Sequence, residues 1–259
     1  MDELIQLELI DVGFALGLMI IAIGLSAWQQ LGLERDLAVA TVRTIVQLLA
    51  VGYILEIVFA VDNPWLVLVV VAVMVSIATV VARNRISKKV PNLIPIVGGS
   101  ILISTALTLT YVNAIILQPE PWYEPQYLVP LAGILLGNAM NAAAIGGDRL
   151  VSTLNSSQLE IETHLSLGAT PAQATASYRQ EAIKAGLIPT LNSMMVVGVV
   201  TLPGIITGQI LSGVNPLDAA VYQMVIMFIL AIATLSATLL LIQGIYRQFF
   251  NKAAQLISR

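Results

Sequence analysis

The chain has 259 residues, of which 58% are hydrophobic and 10% are charged. An average soluble domain carries about 25% charged residues, so this composition excludes a soluble globular protein and indicates a membrane protein. The absence of cysteine excludes disulfides and thiolate metal sites, and a single histidine excludes a multi-histidine metal site within one chain. The net charge of −3 indicates no particular partner, and nucleic acid is not expected.

Seven apolar segments are long enough to cross a bilayer. A hydrocarbon core about 30 Å thick requires roughly 20 helical residues at about 1.5 Å each. The predicted spans cover residues 9–28, 37–60, 65–82, 93–117, 128–147, 183–211 and 217–246. The acidic residues after Met1 differ from the positive start of a secretory signal, so the first segment is predicted to be a retained span. We expect an all-α, polytopic protein with a single permease domain over residues 1–259.

The positions of lysine and arginine predict the orientation. Basic residues follow the first, third, fifth and seventh spans, whereas the connections on the opposite side contain none. Because short cytoplasmic loops retain positive charge, we predict an outside N-terminus and a cytoplasmic C-terminus. A six-span arrangement would require an interfacial first segment or a re-entrant sixth one. The basic residues that set the orientation are Arg35, Arg83, Arg85, Lys88, Lys89, Arg149, Arg179, Lys184, Arg247, Lys252 and Arg259.

The second span contains three polar side chains that are candidates for a translocation pathway. Arg43 and Gln47 are four residues apart and share a helical face. An arginine at this depth either snorkels to the cytoplasmic surface or faces a polar partner. Glu56, near the outer end of the span, either lies in the interface or attracts cations at the external mouth.

Polar side chains also recur in the fourth and fifth spans. Ser100, Ser104 and Thr108 form a hydroxyl stripe with a four-residue period, which favours contacts between helices. Asn138 and Asn141 share one face near the middle of the fifth span. Buried amides need partners, so these two residues either bond across helices or line a wet cavity.

The sixth predicted span contains a proline at membrane depth. Pro203 cannot donate a backbone hydrogen bond, and Thr201 and Gln209 lie on either side of it. Interrupted helices often line transport sites, although a packing kink would have the same sequence. Met194 lies deeper in the span and is either core filler or a substrate contact.

The predicted cytoplasmic loop at 148–184 is the longest inside connection, and its sequence indicates two helices separated by a fixed corner. Gly168 occupies a position typical of a helix C-terminal cap. Thr170 can then cap the next helix, with Pro171 at its first position, where proline loses no hydrogen bond. His164 is predicted to be a surface or docking residue.

The pattern from Glu162 through Gly168 resembles the EAA loop of ABC transporter permeases. In that loop, Glu-Ala-Ala, three residues and Gly-Ala-Ser-Pro form a short cytoplasmic helix that docks into a groove of the ATPase subunit. Here Thr163 and His164 replace the two alanines. The resemblance implies a role in coupling to an ATPase for Glu162, His164, Gly168, Ala169, Thr170 and Pro171.

Three longer stretches, residues 135–150, 164–174 and 187–213, are similar to the FetB family of iron-export permeases, which includes plant aluminium-sensitivity proteins. The resemblance implies a homodimeric permease in the plasma membrane, or the inner membrane of a Gram-negative cell, that exports iron or another metal ion. Its partner would be a cytosolic ABC ATPase. The chain lacks the G-x-x-x-x-G-K-[ST] phosphate loop, so we expect no enzymatic activity and no cofactor of its own, with ATP and magnesium bound by the partner.

The residues alone leave the transport mechanism and the substrate open. A secondary transporter or channel is the alternative, but proton-driven carriers generally show several buried acids, and here only Glu56 is a candidate. Intramembrane oxygens of Glu56, Asn138, Asn141 and Gln209 could replace part of a cation's water shell. Imidazole and thiolate ligands, which many transition metals prefer, are missing from every predicted span.

Overall fold

The computed structural model describes residues 9–86, 90–251 and 253–257, and its regular secondary structure is helical. A π-helical turn, Val112–Leu117, continues the fourth helix. The predicted all-α class is confirmed. Lys88, Lys89, Lys252 and Arg259, which contributed to the predicted orientation, lie outside the described residues. In chain order the helices are α1 (Leu9–Trp28), α2 (Glu34–Val61), α3 (Pro64–Ile86), α4 (Leu93–Tyr111), α5 (Pro125–Ser156), α6 (Gln158–Ser166), α7 (Pro171–Ala174), α8 (Ala176–Val196), α9 (Gly204–Leu211) and α10 (Pro216–Gln248).

Six described segments are long and apolar enough to cross a membrane, namely α1, α2, α3, α4 with its π-helical turn, α5 and α10. The remaining predicted span, 183–211, is divided into α8 and α9 by a non-helical stretch at 197–203. Gly198 adopts a φ of +80°, and Pro203 has no backbone N–H. The helix therefore stops where the sequence placed a candidate break, and no single helix covers this segment.

The chain divides into two compact units, Met1–Asp62 with Leu211–Gly213, and Asn63–Ile210 with Val214–Arg259. In the first unit, α1 and α2 pack against each other. Ser26 closes the connection between them, because its hydroxyl donates to Glu34 Oε1 at 2.9 Å and accepts from the Leu33 amide at 3.3 Å.

In the second unit, α5 contacts α3, α4, α8 and α10. Its apolar face contributes Leu150 and Leu154 to the main hydrophobic core, and both are fully buried. The short helix α6 joins the same core through Ile161, which is also fully buried. Burying such a side chain contributes about 1.5–3 kcal/mol, so α6 is attached to the bundle although most of its surface is polar.

Three helices of the second unit approach each other closely where glycine replaces a side chain. A Cβ added to Gly186 on α8 would lie 2.7 Å from the Ala142 carbonyl oxygen on α5 and 3.1 Å from Thr238 Cγ2 on α10. A Cβ on Gly146 of α5 would lie 3.0 Å from the Ala182 carbonyl oxygen on α8. Small residues let helix backbones approach in this way, so α8 is held directly against α5 and α10.

The hydroxyl stripe on α4 links this helix to α10 at one position. Ser104 Oγ donates to the Ala233 carbonyl at 2.6 Å and lies 3.0 Å from Ser236 Oγ. Ser100 and Thr108 donate to carbonyls of their own helix. The predicted role in joining helices is therefore confirmed for Ser104.

The glycine contact predicts a specific loss of stability. Gly186→Ala places a methyl group against the α5 backbone, and we expect the free energy of unfolding in detergent to fall by about 1–3 kcal/mol. Gly99→Ala on α4 is the matched control, because a Cβ there meets nothing within 4 Å. Alanine gains about 0.5–1 kcal/mol over glycine in a helix interior, so the control should be neutral or stabilising. Equal stabilities of the two variants in chemical denaturation would contradict this packing.

Candidate functional site

The corner, residues 167–171, begins where α6 ends in a glycine-dependent cap. The Ala169 amide donates to the His164 carbonyl and the Gly168 amide donates to the Leu165 carbonyl, both at 3.0 Å. These two bonds define a Schellman motif, which requires a left-handed residue. Gly168 has a φ of +93°, a conformation that other L-residues rarely adopt. The predicted C-terminal cap is confirmed.

The next helix begins with a capping box. The Gln173 amide donates to Thr170 Oγ1 at 3.3 Å, and the Thr170 amide donates to Gln173 Oε1 at 2.9 Å, with Pro171 at the first helical position. Thr175 joins α7 to α8, because its amide and hydroxyl both donate to the Pro171 carbonyl. The chain therefore turns once at the corner and then stays nearly helical to Val196.

The outward surface of α6 combines charge with exposed apolar side chains. Glu162 and His164 are exposed, as is Thr163 between them. Leu159 and Leu167 are each 80% exposed, although both lie in a polar segment outside the six long apolar helices. Large exposed apolar side chains beside charged ones are typical of a protein-binding surface.

A groove runs beside this surface, and one of its walls is the C-terminal hook, residues 249–251 and 253–257. Asn251 Oδ1 closes the hook by accepting from the Ala253 and Gln255 amides, both at 2.9 Å. The groove has a volume of about 550 Å³, and its α6 wall includes Glu162 and Leu165. The sequence prediction missed the hook, whose local signal is Asn251, three residues after the end of α10.

Two arginines attach the start of α8 to its neighbours. Arg179 Nη2 donates to the Ala172 carbonyl at 2.8 Å, and its guanidinium carbon lies 4.7 Å from the centroid of the Tyr246 ring on α10. Such a cation–π contact is worth about 0.5–1 kcal/mol at an exposed site. Arg149 on α5 pairs with Glu181 at 3.4 Å, but both side chains are more than half exposed, so the pair contributes about 0–1 kcal/mol.

Tyr178 links α8 to α6. Burial raises the pKa of its hydroxyl above the ordinary value of 10.0, and the hydrogen bond with Glu160 raises it further. Tyr178 is therefore protonated at physiological pH. The stability that its neutral form contributes is complete below pH 10 and is lost as the pH rises through the raised pKa.

The two asparagines of α5 share a face but have different partners. Asn138 Nδ2 donates to the Ile134 carbonyl of its own helix at 2.8 Å. Asn141 Oδ1 accepts from Arg85 Nη1 on α3 at 3.2 Å. One amide therefore connects two helices, and the pathway-lining role of both residues stays a prediction.

The break between α8 and α9 is a compact hydrogen-bonded turn. The Val196 carbonyl accepts from the amides of Val199, Val200 and Thr201 at 2.9–3.2 Å, and the Gly198 amide donates to the Thr201 carbonyl at 2.9 Å. Of the other predicted pathway residues in this segment, Met194 and Pro203 lie together on the wall of one cavity beside α10. Gln209 lies further along, on α9.

Arg43, Gln47 and Glu56 lie on α2 in the first unit, and all three are exposed. Their predicted pathway roles stay predictions. In the described part of the chain, no group of three or more metal-ligating histidine, aspartate or glutamate side chains comes together. A conventional carboxylate or imidazole metal centre is therefore not formed by the described residues.

The cavity beside α10 contains a polar residue that the sequence prediction did not select. Gln223 is 4% exposed and lines this cavity of about 320 Å³ together with Met224 and Met227. Its signal in the sequence is a single amide within the otherwise apolar stretch that follows Asp218.

The sequence profile of a family described as "Uncharacterised protein family (UPF0014)" matches residues 9–250. The chain belongs to the UPF0014 family. Among its UPF0014 relatives, the membrane protein slr1647 of Synechocystis sp. is 51% identical over 98% of both chains. The Escherichia coli protein named "Probable iron export permease protein FetB" is 35% identical over 95% of this chain and 94% of its own.

The protein named ALUMINUM SENSITIVE 3 of Arabidopsis thaliana is 34% identical over 93% of this chain and 87% of its own. The resemblance predicted from the three sequence stretches is thus confirmed. No solved structure matches the chain significantly. As a UPF0014 member with six long apolar helices, the protein is a multi-pass membrane protein.

The capping box predicts that Thr170 stabilises the corner locally. Thr170→Ala removes the side-chain oxygen that accepts from Gln173, and we expect a local loss of about 0.5–2 kcal/mol. Amide hydrogen exchange of residues 170–176 should accelerate accordingly. Thr163→Ala is the control, because the Thr163 hydroxyl donates only to the Leu159 carbonyl of its own helix. Equal exchange rates in both variants would refute a capping role.

Proposed function

We propose that this UPF0014 protein is the membrane-spanning permease subunit of an ABC transporter, which exports iron or another metal ion across the plasma membrane. Two copies of the chain would work with two cytosolic ATPase subunits, which bind ATP and magnesium. The observation that carries the proposal is the α6 corner, where a Schellman motif and a capping box fix an exposed acidic helix against the bundle.

The surface of α6 and the adjoining groove supply a docking site for the ATPase. Ile161 holds the inner face of α6 in the core, so Glu162 and the exposed leucines Leu159 and Leu167 face away from it. A soluble partner with a complementary apolar groove and a basic side chain fits this surface. His164 and Ala169 adjoin it, and the C-terminal hook forms its second wall.

The helix α8 would pass movement from the corner to the membrane-spanning helices. Movement imposed at the corner by ATP binding and hydrolysis would pass through the nearly continuous α7–α8 segment, because Thr175 between the two helices donates to the Pro171 carbonyl of α7 and accepts from the Arg179 amide of α8. The contacts of Gly186 with α5 and of Arg179 with α10 would convert that movement into a rearrangement of three helices. The far end of α8 is the break at 197–203, where the transport cavity would open and close.

The proposal of a metal-ion substrate is supported by the names of two relatives and not by a cluster of metal-ligating side chains. One relative is named a probable iron export permease and another is named for aluminium sensitivity, and the chain matches both over nearly its whole length. Within this proposal, an ABC ATPase supplies the energy.

Removal of the α6 charge tests docking. Glu162→Gln deletes an exposed carboxylate on the proposed contact surface, and we expect the affinity for the ATPase to fall about tenfold, equivalent to about 1.4 kcal/mol. The tagged full-length chain is purified from its native membranes, and the co-purified ABC ATPase is quantified. Asp218→Asn is the matched control, since it removes an exposed carboxylate from the first turn of α10. The docking surface is refuted if both variants retain the ATPase equally, and the whole proposal fails if the wild-type chain recovers none.

A substitution that strains the backbone of the corner tests whether the corner couples ATP hydrolysis to transport. Gly168→Ala introduces no clash, because a Cβ meets nothing within 4 Å, but alanine disfavours the φ of +93° by about 1–2 kcal/mol. We expect ATP-driven Fe(II) transport by the complex in inverted vesicles to fall about fivefold, equivalent to about 1 kcal/mol, while ATP hydrolysis stays within about twofold.

Gly99→Ala, which meets no neighbour and has no positive φ, should change neither rate. Unchanged coupling in Gly168→Ala would overturn the role of the corner. Transport by the wild-type protein at the same rate without ATP would support the alternative of a channel or secondary transporter.

A further inference from the structure

The break between α8 and α9 lies at membrane depth. The sequence has no charged residue between Lys184 and Asp218. Past Lys184, α8 rises about 18 Å to its end and α9 rises about 12 Å, at about 1.5 Å per residue. These two lengths together match a hydrocarbon core of about 30 Å. The groove beside the break includes Met224 and Phe228 from the apolar run of α10, which places the stretch 197–203 at the same depth.

The backbone at the break has carbonyls that the helices leave without a donor. In a continuing helix, the Gly198 and Val199 amides would donate to the carbonyls of Met194 and Met195. Here both amides donate to other carbonyls within the turn. Lipid tails offer no donor, so irregular backbone at this depth is stable only against protein or beside water. Lipid is therefore excluded as the neighbour of the break.

The side chains of the break are uncovered and apolar. Val199 is 88% exposed, Val200 is 77% exposed and Leu202 is 61% exposed. Thr201 is the single polar side chain in the stretch 197–203. Exposed apolar side chains of this size are typical of a protein-binding surface, whereas the wall of a water-filled cavity needs polar ones. The side chains therefore favour protein over water as the neighbour.

The start of α9 extends this surface and leaves room for another helix. Cβ atoms added to Gly204 and Gly208 would meet nothing within 4 Å, so no described residue fills this G-x-x-x-G step. Glycines at this spacing let membrane helices approach each other closely. In a two-fold dimer, the same patch of each copy meets its counterpart. The exposed break and the glycine step form one continuous segment that suits such a contact.

We infer that the break at 197–203 and the glycine step of α9 form the contact surface between two copies of this chain. The partner copy shields the irregular backbone from lipid. The inference rests on the proposed function, which requires two copies, and it names the face by which they meet. Movement passed along α8 would then act directly on the contact between the copies, so the transport path would run beside this contact.

Single cysteines test the contact, because the chain has none of its own. Val199→Cys, Val200→Cys and Leu202→Cys are each made in the full-length chain, which is purified, reconstituted in lipid vesicles without an ATPase and oxidised. A disulfide needs Cβ atoms about 3.5–4.5 Å apart, so it forms only near the two-fold axis. We expect at least one variant to give covalent dimers at about five times the yield of the control or more.

Leu107→Cys on α4 is the matched control. Leu107 is 68% exposed and lies about 15 Å before the end of the π-helical turn, at about 1.5 Å per residue, so its depth is similar to that of the break. It lies outside the proposed contact and should stay monomeric on oxidation. Circular dichroism of each variant confirms that the fold is retained.

A nitroxide attached to the same cysteines identifies what surrounds the break. Oxygen concentrates in lipid and a nickel chelate stays in water, so a label within a protein contact collides slowly with both. We expect slow collisions for the labels at Val199→Cys and Val200→Cys. The label at Leu107→Cys should collide rapidly with oxygen, because its position faces lipid.

The inference is overturned if none of the three break variants links two copies, or if Leu107→Cys links them equally. Rapid collision of the Val199→Cys and Val200→Cys labels with oxygen or with the nickel chelate would also overturn it, since the break would then face lipid or water. Failure here leaves the proposed function standing when the chain still recovers its ATPase. A contact between copies without any ATPase recovery would reject the ABC assignment and keep the contact surface.

Discussion

The close contact of α8 with α5 and α10 is the constraint on which the rest of the second unit depends. At Gly146 and Gly186 no side chain separates the helices, so backbone carbonyls of Ala142 and Ala182 approach the opposing glycines directly. Packed interfaces of this kind have few alternative arrangements, because an atom added at either glycine meets a backbone carbonyl and the side chain of Thr238. The helix α8 is thereby held as a rigid element in the bundle.

The two ends of α8 carry the two functional features of the structure. One end follows the corner and α7, where a Schellman motif and a capping box fix the direction of the chain, and the other end stops at the hydrogen-bonded turn after Val196. A rigid helix that joins a surface docking site to a membrane cavity is the arrangement that the proposed coupling requires. Arg179 contacts Ala172 on α7 and Tyr246 on α10, so it holds the surface end of α8 against both helices.

Polar residues of the second unit differ in whether they have a partner on another helix. Ser104 and Asn141 find partners on α10 and α3, so they contribute to helix association. Gln223 is 4% exposed, and its amide oxygen is buried without a hydrogen-bond partner among the described residues. Both kinds of residue look alike in the sequence, because a polar letter in an apolar run does not reveal what lies opposite to it. The chain belongs to the UPF0014 family, and one relative is named as a probable iron export permease, which supports the proposed transport role.

The sequence alone determined what depends on neighbouring residues in the chain. The apolar runs, the Gly168 cap, the Thr170 cap with Pro171 and the break near Pro203 all follow from local propensity and hydrogen bonding, and the family follows from local motifs. Only the tertiary structure decided that α6 is anchored by Ile161, that α8 meets α5 at Gly186, and that Gln223 shares a cavity with Met194. These pairings join residues that are tens of positions apart, and the helical period fixes the face of each residue but not the helix that faces it.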